Sequence, residues 1–539
     1  MFCKMKITSE IHFKIYLITL MLIAGFIPLS IFLLSVTMFI LVLNWLLEGK
    51  YRSKFKILTK SKNFKFFILI YLAHVFWLLN TTDFAWAFHD LRIKLPLLVF
   101  PIIIASSPKL SMNHIKFILL TFILAVVINT FISTFILLFS DKAFYNIREI
   151  SIFISHIRFS LMIVISIGIL IYFIFSDNIK KSRIETIIYI NASLWLLIFL
   201  FILRSFTGVF ILMILLIPIL LWIKNQLSKK YIIRIINLFT LLLSSFIILN
   251  LIYPVYLFYR KAEIKVENQK FNVNGKPYFS VKNNNERENG YLIYSFICNK
   301  ELEREWNKRS DIKINEKDNQ GHLIKATLIR YLTSKGYTKD SLGVSKLKEK
   351  EVQLIENGVA NYIFGKKFGV YPRIYELLWE IDKYKKDVNP SGHSLTQRIE
   401  YLKTGLSIIR SNFYFGVGTG NVPDAFKNQY EKDKTQLSLK SRLRTHNQYV
   451  TFFISFGLFG FVIIMISIFY PIFNSRKQLF FISNLILLIL MLSMINEDTL
   501  ETHIGVSLFS FFYSIFIFAF NGSVKADNLK ESIFSIFLH

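Results

Sequence analysis

The residues able to do chemistry fall in three stretches far apart in the chain. In the stretch 391–460, Ser394-Leu-Thr-Gln397 has capping-box spacing and opens a predicted helix with Ile399, Leu402, Leu406 and Ile409 on one face. Arg398 is thereby held on a firm element. The helix ends in Phe415-Gly-Val-Gly-Thr-Gly-Asn421, where Gly416, Gly418 and Gly420 let backbone N–H groups approach a ligand closely. A plain loop is the other reading, since no predicted strand precedes the turn. Arg442, Arg444, His446 and Asn447 follow, immediately before an apolar run. A histidine there suits general-base work near neutral pH, its unperturbed pKa of about 6.5 being easily tuned. An interfacial helix start with snorkelling arginines accounts for the same residues.

The second stretch supplies arginine. Arg158, in Ser155-His-Ile-Arg-Phe-Ser160, and Arg204, in Leu203-Arg-Ser-Phe-Thr-Gly208, are embedded in apolar sequence, where an ionisable group is costly and usually functional. Guanidinium groups converging from several elements suit a phosphate or diphosphate through bidentate hydrogen bonds. Contact with lipid phosphate is the plainer account of each one taken singly. His156 neighbours Arg158 and is kept in reserve. The third stretch, Asn496-Glu-Asp-Thr-Leu-Glu-Thr-His503, holds Glu497, Asp498, Glu501 and His503. Their spacing matches no compact metal-ligand motif, so they read as electrostatic partners of the arginines or as a solvated loop, and no metal is expected.

The elements that must position these residues are set by composition. Of 539 residues, 53% are hydrophobic and 18% charged, and the apolar ones lie in long blocks, which excludes a soluble enzyme. Continuous runs without period-2 alternation exclude a membrane β-barrel. Hydropathy places spans near 13–27, 29–47, 64–80, 93–106, 114–140, 157–175, 186–203, 208–223, 235–257, 448–471, 479–495 and 503–521. The expected fold is therefore an all-α polytopic membrane protein of about twelve transmembrane helices. It divides into an N-terminal membrane region 1–257, a large, mainly helical loop 258–447 and a C-terminal membrane region 448–539.

The net charge of +29 implies orientation, not nucleic-acid binding. Much of the excess sits in short loops such as 48–63, 176–185 and 224–234, and short basic loops stay inside. With an uncleaved, inside N-terminus, every basic loop faces the cytoplasm and 258–447 faces out. Arg92, Arg148, Arg158, Arg204 and the acidic loop then share the outer side. Cys3 and Cys298 fall on opposite sides, so no internal disulfide is available.

Taken together, Arg398, the Gly416-Val-Gly418-Thr-Gly420-Asn421 turn, Thr445-His446-Asn447-Gln-Tyr449 and Phe456-Gly457-Leu-Phe-Gly460, set in a long loop before the last three spans, resemble the O-antigen ligase and polymerase superfamily of bacterial inner-membrane glycosyltransferases. The resemblance implies a fold like that of C-type glycosyltransferases, and an active site on the periplasmic face. The donor would be a glycan on undecaprenyl diphosphate, with lipid A-core, another glycan or a protein as acceptor and membrane lipids around it. No metal or other cofactor is implied. His446 would act as general base, and Arg398 and Arg204 would hold the donor diphosphate. Around them Arg158, Arg444, Asn447, Gly416, Gly418 and Gly420 are the expected substrate contacts. The family often has Ser-Arg-Gly near the seventh span, where this chain has Arg204-Ser205, and often a Trp where this chain has Leu402.

Within this reading a ligase is preferred to a polymerase, and a protein O-oligosaccharyltransferase shares the layout. A transporter of lipid-linked glycans would also place arginines toward a cavity, but it calls for paired internal repeats, and the sequence has none. A ligand-binding membrane sensor lacks an output domain here.

Overall fold

The computed structural model describes residues 9–140, 147–176, 181–226, 252–265, 270–281, 286–365, 371–386, 389–475 and 481–520, with isolated positions 234, 238, 241, 245, 248 and 249. The chain is mainly helical. It opens with α1 (Ser9–Phe26), α2 (Ile31–Glu48), α3 (Tyr51–Lys60), α4 (Lys62–Phe76), α5 (Phe84–Ile93), α6 (Pro96–Ser106), α7 (Met112–Phe139), α8 (His156–Phe175), α9 (Arg183–Ile202) and α10 (Phe206–Gln226). After these come strands β1 (Arg287–Glu288) and β2 (Tyr291–Leu292), then α11 (Asn299–Arg309), α12 (Ile324–Ser334), α13 (Ser341–Ser345), α14 (Glu349–Glu356) and α15 (Tyr371–Lys385). It closes with α16 (Ser394–Ser411), α17 (Val422–Lys432), α18 (Gln448–Asn474), α19 (Phe481–Asn496) and α20 (His503–Ser514).

Contacts group Met1–Ile236 with Pro390–His539 as one unit and Asn237–Asn389 as another. The sequence-based division at 447 separates 390–447 from the spans, whereas in the structure this segment packs with them. The reason is a satellite core: Tyr401, Ile408, Val422, Phe426, Tyr430 and Leu437 from α16, α17 and the following loop bury themselves together with Ile454 of α18.

Among the described residues, eight helices are long and apolar enough to cross a membrane: α1, α2, Lys62–Asn80, α7, α8, α9, Phe206–Lys224 and α18. Phe481–Asn496 and His503–Ala519 are apolar but shorter. The predicted span 93–106 is the 11-residue α6, because Pro96 starts a new helix and Lys94 is drawn into an ion network. The predicted span 235–257 lies largely outside the described residues.

A helix apolar on every side belongs inside a bundle. This is the position of α20 and of most of α8, whereas α2, α7 and α9 expose Phe32, Phe39, Phe131, Phe135 and Ile187. With no water in a bilayer, buried polar side chains must find partners inside the protein. Asn129 donates to the Pro28 carbonyl at 2.7 Å, and Ser205 to Ser160 Oγ at 2.8 Å. Beside that pair Gly208 lets α10 close on α8, since a Cβ there would stand 2.6 Å from the Ser160 Cβ.

The second unit has its own core of Leu302, Trp306, Leu328, Leu332, Val344 and Ile355. The strands form a hairpin through Asn289 and Gly290, both at positive φ (51° and 91°), as a tight two-residue turn requires. Residues 321–362 are divided among α12, α13 and α14.

Candidate functional site

The end of α19 meets the starts of α8, α10, α18 and α20, and the acidic loop 497–502 lies among them. Helix α16 is seated against this end because Gly405 has no side chain: a Cβ would lie 2.7 Å from Thr445 Cγ2. The segment leading into α18 is tied down by Tyr401 Oη, which donates to the Ser441 carbonyl at 2.7 Å, and by Tyr430 Oη, which donates to that of Leu443 at 2.6 Å.

These restraints hold His446 in the left-handed region (φ 51°), which a residue other than glycine occupies only when its surroundings impose it. Its backbone N–H donates to Asp498 Oδ2 at 3.2 Å, and Thr451 Oγ1 donates to the other carboxylate oxygen at 2.8 Å. The ring lies beside Tyr401, with centroids 5.8 Å apart. It also feels Glu497, Arg398 and Arg158 electrostatically. Burial, with help from the two arginines, keeps its pKa below the ordinary 6.5 against the opposing pull of Glu497. A neutral imidazole with proton-accepting capacity follows.

Glu497 stands between two guanidinium groups. One carboxylate oxygen lies 3.8 Å from Arg158 Nη2 and the other 3.8 Å from Arg398 Nη2. At that length each is a loose Coulomb pair, not the close fork that arginine forms with a well-fitted anion. Arg158 Nε is buried without a hydrogen-bond partner among the described residues. Arg398 Nη1 also donates to Asn496 Oδ1, and Asn496 Nδ2 donates to Thr207 Oγ1 at 2.9 Å. Burial raises the pKa of Glu497, although His446, Arg158 and Arg398 favour its charge. Burial and then Glu501 push Asp498 up to about 6.

A second network anchors the same loop. Lys94 Nζ donates to Asp90 Oδ1 and Oδ2 at 2.6 Å and to Glu501 Oε2 at 3.2 Å, and Arg444 Nη1 donates to that oxygen at 2.8 Å. Gln448 completes it, donating to Glu501 Oε1 at 3.1 Å and accepting from Leu500 N at 2.7 Å. Burial works against the Glu501 charge, but Lys94 and Arg444 outweigh it and hold the carboxyl well below the usual carboxylate range.

The structure thus brings together His446, Arg398, Arg158 and, through Glu501, Arg444. Asn447 fixes the backbone here, capping α18 by accepting from Val450 N at 3.1 Å and donating to the Ile495 carbonyl at 2.9 Å. Arg204 is exposed in the α9–α10 turn at φ 51°, and the start of α10 that follows it joins the site through Thr207.

The glycine turn departs from the expectation that its amides face a ligand. Gly416 N donates to Asn412 O and Gly418 N to Ser455 O, both at 2.9 Å, and Gly420 N to Thr81 Oγ1 at 3.2 Å. What requires glycine is close packing on the segment before α5 and on α18. A Cβ on Gly418 or Gly420 would fall 2.1 Å from the carbonyl oxygen of Asn80 or Asp83, and one on Gly416 would fall 2.5 Å from Ser455 O, beside the Gly457 kink. Gly418→Ala, at φ +95°, is therefore expected to cost about 1–3 kcal/mol in backbone strain alone, before that clash is relieved. The yield of folded, monodisperse protein after detergent extraction checks this, and a wild-type yield overturns it.

Asp90, Lys94, Gln448, Asn496 and Thr207 were not foreseen as site residues. The i,i+4 spacing of Asp90 and Lys94 beside an apolar run was a readable sign. Nothing in the sequence tied them to Glu501.

No curated protein matches the chain. The family model described as O-antigen ligase matches residues 358–465, which contain Arg398, the glycine turn, Arg444, His446 and the first part of α18. With the apolar helices, the match supports a multi-pass membrane protein of the ligase- or polymerase-like glycosyltransferase kind. The likeness to the O-antigen ligase superfamily read from the sequence is therefore shown over residues 358–465.

Proposed function

We infer that the protein is an O-antigen ligase-like transferase that moves a glycan from undecaprenyl diphosphate to an acceptor hydroxyl, such as that of lipid A-core, at the periplasmic face of the inner membrane, without a metal. The observation that carries the reading is the loose seating of Glu497 between Arg158 and Arg398 beside the His446 ring. A diphosphate has the charge and the several oxygens needed to replace that carboxylate and to use the donors that a 3.8 Å pair leaves unsatisfied.

In the reaction the acceptor oxygen attacks the anomeric carbon while the bond from that carbon to the diphosphate oxygen breaks. The bonding pair leaves with the diphosphate, where Arg158 and Arg398 stabilise the growing charge in place of a divalent cation. The acceptor proton passes to the neutral His446 ring. A single displacement inverts the anomeric centre. Arg204 is assigned to the same diphosphate by its place at this end of the bundle.

The test is deletion of the gene in its host. Loss of glycan attachment with accumulation of lipid-linked glycan, both reversed by the wild-type gene, is expected; unchanged attachment would overturn the reading. The pH profile gives a finer check. Only the neutral imidazole accepts a proton, so kcat/KM falls in acid along a limb centred below pH 6.5. Glu497 pulls the imidazole pKa upward, so Glu497→Gln moves the limb to lower pH. A limb above 6.5, or an upward shift in that variant, would remove His446 as the base.

A further inference from the structure

Helix α5 is held from two sides by residues near the site. At its start, Asp83 caps it by accepting from Trp86 N at 2.9 Å, while Asn421 Oδ1, at the end of the glycine turn, accepts from Thr82 N at 2.9 Å and Asp83 N at 3.1 Å. At its end, Asp90 and Lys94 are locked to Glu501. Such bracing of one short, largely exposed helix calls for an explanation on the face it presents. That face carries Trp86, His89 and Arg92 at i, i+3 and i+6.

These side chains form a continuous row. The Arg444 guanidinium carbon lies 5.3 Å from the Trp86 ring centroid, the rings of Trp86 and His89 are 5.5 Å apart, and Arg92 Nη2 donates to His89 Nδ1 at 3.1 Å. His89 and Arg92 are exposed, and among the described residues no carboxylate pairs with Arg92. Arg444 belongs both to this row and, through Glu501, to the acidic loop. Contacts run in order along that loop: Arg158 and Arg398 meet it at Glu497, the His446 amide at Asp498, and Lys94 and Arg444 at Glu501. Along the acidic loop, the His446 amide contact thus falls between those of the donor-side arginines and that of Arg444, which reaches the α5 row.

We propose that the Trp86–His89–Arg92 row of α5, with Arg444, is the acceptor subsite, and that it takes a saccharide bearing a phosphate or carboxylate group. Indole offers the flat apolar surface on which the C–H face of a sugar packs. An unneutralised guanidinium beside it supplies a two-pronged donor for an anionic substituent. The proposal rests on the transferase reading for its purpose, but its binding test does not need turnover.

The test uses the full chain in phosphatidylcholine vesicles, with glucose 6-phosphate as probe and glucose and inorganic phosphate as controls, read by saturation-transfer NMR. The expected result is that the sugar phosphate binds more tightly than either control, that Arg92→Gln weakens it about tenfold, and that Arg398→Ala leaves it in place. Loss in Arg398→Ala with retention in Arg92→Gln would assign the probe to the donor arginines and overturn the proposal. Equal binding of inorganic phosphate would also overturn it. So would an effect of Arg92→Gln seen only when phosphatidylglycerol is present, since the arginine then holds a lipid headgroup. In transfer assays Arg92→Gln raises the acceptor KM about tenfold with the donor KM held, and Arg92→Lys recovers part of the loss. Binding as expected from a protein that transfers no glycan would sink the transferase reading and leave the subsite standing.

Discussion

Replacing His446 by alanine lowers glycan transfer by about 10²–10⁴-fold, the usual contribution of a positioned general base, while the donor KM changes little. In the proposed reaction the donor is held by Arg158 and Arg398, and neither depends on the imidazole for its position: Arg398 is fixed through Asn496 and Thr207, and Arg158 sits in the first turn of α8. Some transfer above background remains, because the arginines still stabilise the leaving diphosphate. Since His446 occupies the left-handed region, alanine adds backbone strain of its own, so His446→Asn, which tolerates that region, is the sharper variant. Both substitutions are expected to be equally inactive. Initial rates with lipid-linked donor in vesicles decide the matter, and an asparagine variant within tenfold of wild type would rule out the base.

Glu501→Ala destabilises the protein by about 3–5 kcal/mol, because it leaves Lys94 and Arg444 without the buried carboxylate that balances them. Lys94, 2% exposed, keeps Asp90 but loses its second carboxylate, and Arg444 loses the carboxylate it pairs with. Removing the unpaired cation as well returns part of the loss, so Arg444→Met with Glu501→Ala, in which Lys94 and Asp90 still pair, is expected to be more stable than Glu501→Ala alone. Denaturant unfolding in detergent, followed by tryptophan fluorescence, measures both variants. A cost under about 1 kcal/mol for the single variant would mean that the network is solvated and does not brace the loop. The single variant also loses transfer beyond its loss of folded protein, since the loop that carries Glu501 holds Glu497 and Asp498.

The chemical types in the site were legible from the sequence because each is a local signal. Arg158 declares itself by lying in apolar sequence, Arg398 by its amphipathic helix, and His446 by the motif that precedes an apolar run; the capping box expected at Ser394 is not formed, since the helix has His393 as N-cap with no side-chain cap. The acidic loop was legible only as far as a choice between partner and solvated turn. Helices α1, α2, α7, α8 and α9 could likewise be drawn from hydropathy, since membrane crossing is a property of consecutive residues. The 11-residue α6 could not, because Pro96 and the pull on Lys94 shorten what hydropathy reads as a full span.

What the linear order by itself determined is a helical membrane protein with histidine and arginine gathered before and after its spans. Only the tertiary structure decided that Glu497 lies between Arg158 and Arg398, that Glu501 reaches Lys94 across 407 residues of chain, and that the glycines pack closely on the segment before α5 and on α18 with their amides bonded within the protein. The physical reason is range. Hydropathy and helical period act over a few turns and are written in neighbouring residues, whereas a charge in a low-dielectric interior is stabilised by whichever partner the packing of distant helices brings within a few ångströms.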